Sequence, residues 1–298
     1  NCLVNEILPE LKQNNLEYIS LSDYTPLQKE YLHDIFKNEI YPLLTPLRTD
    51  TEVFPHIINL SKYVAFSLKP ISGIKTISKE LKGNDDAPRI ALVELPEKIQ
   101  NLIWLPTKSK KNKQFTIIDD VVQLFGTSLF PGFKVEETLL FKVTRDADFA
   151  VDEDAGKNFI HAMENVLIQR KSSFPVQMTC NNSSDKIKQF LMNKLELTSE
   201  DVYTINSILD PNCLMELRNY EDTNNLVFDK WEHFYPSDLP EEDPYWDTLK
   251  LRDKILHVPY ESYDPVVKFI KDASTDENVL AIKMTLYRTG QDSPIISA

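Results

Sequence analysis

The chain has 298 residues, 42% of them hydrophobic and 27% charged, and carries a formal net charge of −13. That length allows two or three domains with a sizeable core, and the balance is ordinary for a folded globular protein. No apolar run reaches the roughly 18 residues of a membrane span, and the acidic balance argues against general nucleic-acid or anionic-membrane binding.

Residues 1–22 read as the tail of a helical region and its exit. A helix then opens cleanly: Thr25 caps it, Pro26 takes its first position and Gln28 completes a capping box. It is expected to run to about Asn38, with Leu27, Tyr31, Ile35 and Phe36 on one face, before Tyr41-Pro42 and Thr45-Pro46 force extended chain. Tyr63–Leu68, Arg89–Leu95 and Leu102–Leu105 read as strands, with a polar loop from Lys69 to Pro88. Lys108, Lys110, Lys111 and Lys113 form a basic cluster, read as a solvated hairpin tip, with a phosphate-guiding patch as the alternative. Asp119 or Asp120 opens a helix toward Leu129, and Phe130-Pro131-Gly132 ends it in a turn.

Leu139–Thr144 is a predicted strand leading into Arg145-Asp146-Ala147-Asp148. Paired aspartates beside an arginine suit metal binding or acid/base work, but an arginine pairing that fixes a strand-to-helix corner is the preferred reading. A helix over 152–171 places Phe159, Met163, Val166 and Leu167 on one stripe and leaves His161 off it, as a surface residue. Val176–Cys180 follows as a strand, Ser184–Leu195 as a helix with Ile187, Phe190 and Leu191 inward, and Asp210-Pro211 starts a short helix through Leu217. This alternation gives an α/β fold class, with a mixed α+β first part. Tyr220–Tyr245 is the best linker; its aromatics and prolines predict a segment packed across a domain surface or against a partner subunit.

The last stretch, Lys254 to Ser293, carries the site prediction. A short apolar run at Lys254–Val258, a helix begun by Asp264-Pro265 and a second apolar run at Val279–Tyr287 make a βαβ unit. Ligands sit beyond the carboxyl ends of such strands, which here are His257–Glu261 and Arg288–Ser293. Arg288 ends a strand and enters a Thr-Gly loop, where its planar guanidinium suits two phosphate oxygens; a surface salt bridge is the alternative. Lys283 is a weaker phosphate candidate, and on a regular strand it shares a face with Tyr287 while Arg288 points the other way. His257 reads mainly as structural, and Tyr260 and Glu261 as supporting or capping groups.

Standard phosphate machinery is missing. The six glycines form neither GxxxxGK[ST] nor GxGxxG, and no HRD or DFG pattern occurs, which excludes P-loop and protein-kinase mechanisms. Cys2, Cys180 and Cys213 lack CxxC or Cys/His metal spacing and read as buried or idle thiols in a reducing cytosol. The chain has no initiator methionine and reads as a fragment of a longer protein.

The segments EIYPLLTPL (39–47), FPHIINLSKYVAFSL (54–68), ALVELPEKI (91–99), LFPGFKVEETLLFKVTRDAD (129–148), LRDKILHVPYESYDPVV (251–267) and VLAIKMTLYRTGQDSPI (279–295) resemble, in order, the type 1 polyphosphate kinases. The resemblance covers essentially the whole chain. It implies residues 1–21 as the end of an N-terminal helical domain, 22–247 as a head domain and 248–298 as the start of a phospholipase-D-like catalytic domain. It implies reversible transfer of the ATP γ-phosphate to inorganic polyphosphate, with Mg2+, through a phosphohistidine of an H-x-K motif. None of the five histidines (His33, His56, His161, His233, His257) has lysine two residues on, so no catalytic residue is expected in this chain and the nucleophile is expected beyond Ala298. The family's arginine at the position of Arg288 belongs to the magnesium site. Arginine has no lone pair for a metal, so its expected role is contact to phosphate beside the ion. ATP, ADP and polyphosphate are the expected partners, together with a homo-oligomer formed through the head domain. The expected location is cytoplasmic, with peripheral association at the inner membrane face open. Two alternatives remain: a non-catalytic head and oligomerisation module, and a relative that kept the fold and lost catalysis.

Overall fold

A computed structural model describes residues 2–51, 53–71, 89–96, 99–108, 111–146, 173–220, 226–239, 245–285 and 293–298. The chain divides into two units, Asn1–Asn224 and Asn225–Ala298.

In the first unit a π-helical turn, Leu3–Ile7, runs into α1 (Leu8–Gln13), followed by the short strand β1 (Leu16–Tyr18). Helix α2 (Pro26–Ile35) begins as its sequence dictates. Thr25 Oγ1 accepts from Gln28 N at 3.3 Å, and Gln28 Oε1 accepts from Thr25 N at 3.0 Å, satisfying two otherwise orphaned donors. Of the expected inward face, Phe36 is buried and Ile35 packs partly buried against the core, but Leu27 and Tyr31 do not turn inward. Gln28, Leu32, Phe36 and Ile40 are buried at i, i+4, i+8 and i+12, whereas Leu27 and Tyr31 are 59% and 42% exposed. Gln28 sets this rotation because its Nε2 donates to Gln114 Oε1 at 2.9 Å, so a polar residue outranks its two apolar neighbours.

Next come β2 (Pro46–Arg48), β3 (Lys62–Pro70), β4 (Arg89–Glu94), β5 (Leu102–Leu105) and β6 (Lys113–Ile117), then α3 (Ile118–Phe125). Strands β7 (Phe133–Arg145) and β8 (Pro175–Cys180), helix α4 (Asp185–Leu195) and strand β9 (Val202–Thr204) complete the sheets. One sheet has six strands in the order β2-β4-β3-β7-β8-β9, antiparallel except for the parallel β8–β9 edge. The other is β1-β6-β5, in which β1 joins β6 parallel and β5 joins it antiparallel. The α+β class follows.

The central strands are covered on both sides, and the two-residue period of β3 sorts its side chains between them. Tyr63 and Ala65 join Ile187, Leu191 and Leu195 of α4 in one core. Val64 and Phe66 join Leu32 and Phe36, together with Val121 and Val122 of α3, in another. A third cluster of Leu102, Phe115, Ile117, Ile208, Cys213 and Leu217 covers the small sheet. Each fully buried large side chain contributes about 1.5–3 kcal/mol. Gly126, at the end of α3, is required by packing: an added Cβ would lie 2.5 Å from the Phe66 ring.

Arg145 is structural, as expected of a residue that fixes this corner. It is 8% exposed; its Nε donates to Ile57 O at 2.7 Å, its Nη1 to Ser173 O, and its backbone N–H to Asn59 Oδ1. Asp148 and the expected 152–171 helix, with His161, lie outside the described residues. Of the basic cluster, Lys113 opens β6 with its Nζ 5.8 Å from the Tyr220 ring centroid, so it belongs to the strand and not to a solvated tip.

The deepest polar contact joins the start of β3 to the first turn of α3. Lys62 Nζ lies 2.5 Å from Asp119 Oδ1, and Asp119 is fully buried. Lys62 also donates to Asn101 Oδ1, and Asn101 donates through its backbone and Nδ2 to Glu216 Oε1. Burial raises the Asp119 carboxyl above the usual range, against the pull of Lys62. Lys62→Met leaves that carboxylate uncompensated and is expected to cost about 3–5 kcal/mol in denaturant unfolding. Adding Asp119→Asn to it is expected to restore most of the loss; equal stability of the single and double variants would refute the pairing.

Candidate functional site

The second unit holds α5 (Trp246–Leu251), α6 (Asp264–Thr275) and α7 (Pro294–Ser297). Proline 265 sits in the first turn of α6, and Pro265, Ile270 and Ala273 are its buried residues. The two flanking apolar runs are not strands. Residues 252–257 and 279–285 have no ladder partner, and Ile255 and Leu280 are 93% and 98% exposed. A strand needs a neighbour to take its N–H and C=O groups, and the described residues supply none for either run. The helix of the expected βαβ unit is therefore present, and residues 252–257 and 279–285 form no strand.

The first nominated strand end is instead a turn. The N–H groups of Tyr260 and Glu261 both donate to His257 O, at 3.0 and 2.9 Å, and Glu261 Oε2 accepts from His257 N at 2.6 Å. Glu261 thus closes the turn, as a capping group. The segment around Phe234 docks on it: Phe234 N donates to Tyr260 O, and Ser262 N donates to Phe234 O. Rings gather there, with His257 4.9 Å and Trp231 5.3 Å from Tyr260. His233 joins through Nδ1, 2.5 Å from Pro259 O. A carbonyl can only accept, so Nδ1 carries the proton, and in the neutral ring Nε2 keeps its lone pair. Sequence reasoning missed His233 because its partner lies 26 positions away and no spacing rule connects them.

Beside this turn lies a cavity of about 440 Å3, lined mainly by apolar side chains that include Leu239, Tyr245, Leu249, Val258 and Phe269. Lys254 is the cation on its wall. Its side chain is 8% exposed, and its Nζ lies 2.6 Å from Asp238 Oδ2 and 2.7 Å from Asp238 O. Lys254 holds the Asp238 carboxyl below its ordinary range, with Arg252 adding to the effect. The lysine is thereby spent on the fold.

Of the sequence-predicted site residues, Lys283 is exposed on an unpaired stretch, so the alternation of faces expected for a strand does not apply to it. Arg288 lies outside the described residues. Among the described residues no three His, Cys, Asp or Glu side chains come close enough to hold a metal. Neither arginine nor lysinium has a lone pair to offer one. The described residues therefore do not make a magnesium cage.

The carboxyls raised by burial, Asp119 and Asp120, lie in the first unit at the start of α3. Asp120 accepts from the Tyr18 hydroxyl at 2.6 Å, and Tyr24 bonds Thr116 nearby. Burial pushes Asp120 up to about 6, against the Tyr18 hydrogen bond, which favours its charged form. Burial likewise raises Tyr18 and Tyr24, and pushes the Cys213 thiol up to about 12, so this thiol is inert at neutral pH. These groups tie β1 and the 210–219 segment to the core.

Two family descriptions match the chain: the polyphosphate kinase middle domain over residues 27–217, and the polyphosphate kinase C-terminal domain 1 over residues 244–298. The chain belongs to the polyphosphate kinase family. Polyphosphate kinase from Bacillus anthracis is 32% identical over 302 residues, covering 99% of this chain and 41% of that protein. Polyphosphate kinase 1 from Chlorobaculum tepidum is 32% identical over 302 residues, covering 100% and 42%. The crystal structure of polyphosphate kinase from Porphyromonas gingivalis superposes with a TM-score of 0.67 at 23% identity, over 99% of this chain and 41% of that one, and shares its fold. The chain spans about two fifths of the length of the relatives it matches.

Asp120 gives a pH signature. Its folded-state pKa is raised from 3.8 to about 6, so its contribution to stability is full below about pH 4 and is lost as pH rises through 6. Relative to Asp120→Asn, the wild-type chain is expected to lose up to about 3 kcal/mol of stability between pH 4 and 7. Parallel stability curves for the two proteins across that range would exclude the assignment.

Proposed function

We propose that this chain is part of an enzyme that transfers the γ-phosphate of ATP reversibly to inorganic polyphosphate. The observation that carries the reading is the ordered match to both the middle domain and C-terminal domain 1 of the family. In this reading residues 1–21 end an N-terminal helical domain, 22–247 form a head domain and 248–298 begin the first catalytic domain. The transferred group passes through a phosphohistidine supplied outside this chain, since no histidine here has the H-x-K spacing. Arg288 contacts phosphate oxygens beside a magnesium ion held by other groups, and Lys283 is a second, weaker phosphate contact. A planar guanidinium suits this task because charge spreads over the equatorial oxygens of the transferred group. ATP, ADP and polyphosphate are the substrates of the whole protein, which acts as a cytoplasmic homo-oligomer through the head domain. No helix among the described residues is long and apolar enough to cross a membrane.

A second reading is a non-catalytic head and oligomerisation module. It is favoured by the absence of a metal-holding cluster among the described residues and of an H-x-K motif in the chain.

Labelled ATP with magnesium separates the two. The full-length protein is expected to take up label and make polymer, and Arg288→Ala to lower the rate by about 100-fold. The 298-residue chain alone is expected to be silent. Full-length protein that never labels or polymerises would favour the module, and label on the 298-residue chain would overturn the placement of the nucleophile.

A further inference from the structure

A second cavity, of about 280 Å3, opens at one end of the six-stranded sheet in the first unit. The sheet register builds it. Arg48 of β2 lies opposite Ala91 of β4, and Arg89 is two residues from Ala91 on the same strand. Side chains two apart in a strand share a face, so both arginines stand on one side of the sheet. Leu68 pairs with Arg89 across β3 and joins that face, and Phe130 and Phe133 close it.

The two guanidiniums are not equivalent. Arg48 is spent: its Nε and Nη2 donate to the two carboxylate oxygens of Asp50, each at 2.9 Å. That fork holds Asp50 below its ordinary range, and Arg89 lowers it further, so Arg89 lies near the same carboxylate. Yet among the described residues no carboxylate pairs with Arg89. Its guanidinium stands 5.9 Å from the Phe133 ring centroid, at the outer limit of a cation–π contact. Its N–H fork is thereby oriented but not consumed. The lining carries two arginines and one aspartate, one positive charge in excess, in a chain whose total is −13.

We propose that this cavity binds a small amphipathic anion, one with an oxyanion head for Arg89 and a flat apolar body for the Phe130–Phe133–Leu68 wall. The volume, about 280 Å3, lies just below the roughly 300–1,000 Å3 of typical small-molecule sites, which excludes large ligands. The apolar walls disfavour bare phosphate or polyphosphate, which have no surface to bury there and would lose hydration. A neutral aromatic forgoes the guanidinium. The combination selects for both halves in one molecule. This site stands apart from the phosphotransfer reading and does not depend on it.

The test uses the 298-residue chain and four probes, by titration calorimetry. The probes are 1-naphthoate, 1-naphthyl phosphate, inorganic phosphate and neutral 1-naphthol. Naphthoate, naphthyl phosphate or both are expected to bind saturably, at least tenfold tighter than phosphate or naphthol; the tighter of the two identifies a carboxylate or phosphoryl head. Arg89→Gln is expected to weaken that binding at least tenfold, and Arg89→Lys, which keeps charge but loses the fork, to fall between. In case Arg89→Gln does not fold, aromatic-labelled wild-type protein provides a second reading: the Phe130 and Phe133 signals are expected to move on adding naphthoate. Binding that survives Arg89→Gln, binding of phosphate or naphthol as tight as the amphipathic probes, shifts confined to other rings, or no saturable binding would each overturn the proposal.

Discussion

The ion pair between Lys62 and Asp119 joins parts of the first unit that the sequence keeps far apart. It fixes the first residue of the central strand to the first turn of α3, and through Asn101 and Glu216 it reaches β5 and the 211–219 helix. Removing both charges from water is expensive, and Coulomb attraction in a dry site offsets this only with good geometry and further hydrogen bonds. Lys62 has two acceptors, while Asp119 keeps one oxygen without a protein partner. The position of Asp119 in the first turn of α3 adds the favourable field of a helix N-terminus. The pair is better understood as fixing which elements meet than as a large net source of stability. The stability itself comes from the two apolar layers that flank β3.

Those layers also explain which parts of the fold could be read from the sequence. Elements whose signals are local were legible. The Thr25 capping box, the Ser184 cap of α4 and the strand at 102–105 all follow from residues within four positions of one another. The inward face of α2 was legible only in part, because Gln28 is held by Gln114, 86 residues away. Arg145 likewise points to carbonyls at 57 and 173, which no spacing rule near 145 could indicate.

The candidate site shows the same division more sharply. Helix α6 was legible from Asp264-Pro265 and its apolar spacing, yet the runs beside it were predicted as strands and are not. Their composition satisfies a strand template, but pairing is a relation between segments, and the described chain offers no partner. At His257–Glu261 there is no strand end, so the inference from parallel-sheet topology loses its geometry there. What replaces it is a turn held by backbone bonds, with His233 and Trp231 brought in from the preceding segment.

The two units divide labour in a way their surfaces express. The first unit holds nearly all the fully buried side chains and an internal polar network in which almost every group has a partner. The second carries an open apolar cavity and exposed Phe228, Trp231, Phe234 and Ile255. Buried networks of the first kind cost free energy to disturb, so they make a rigid frame and leave little polar capacity free for a ligand. Arg89 is an exception on that frame, a guanidinium oriented by a ring and not matched by a described carboxylate. An acidic protein that handles anions must confine positive potential to such places, because a uniform field of its own sign would repel them. The proposed anion site therefore rests on one positioned cation, Arg89, and not on the overall charge of −13.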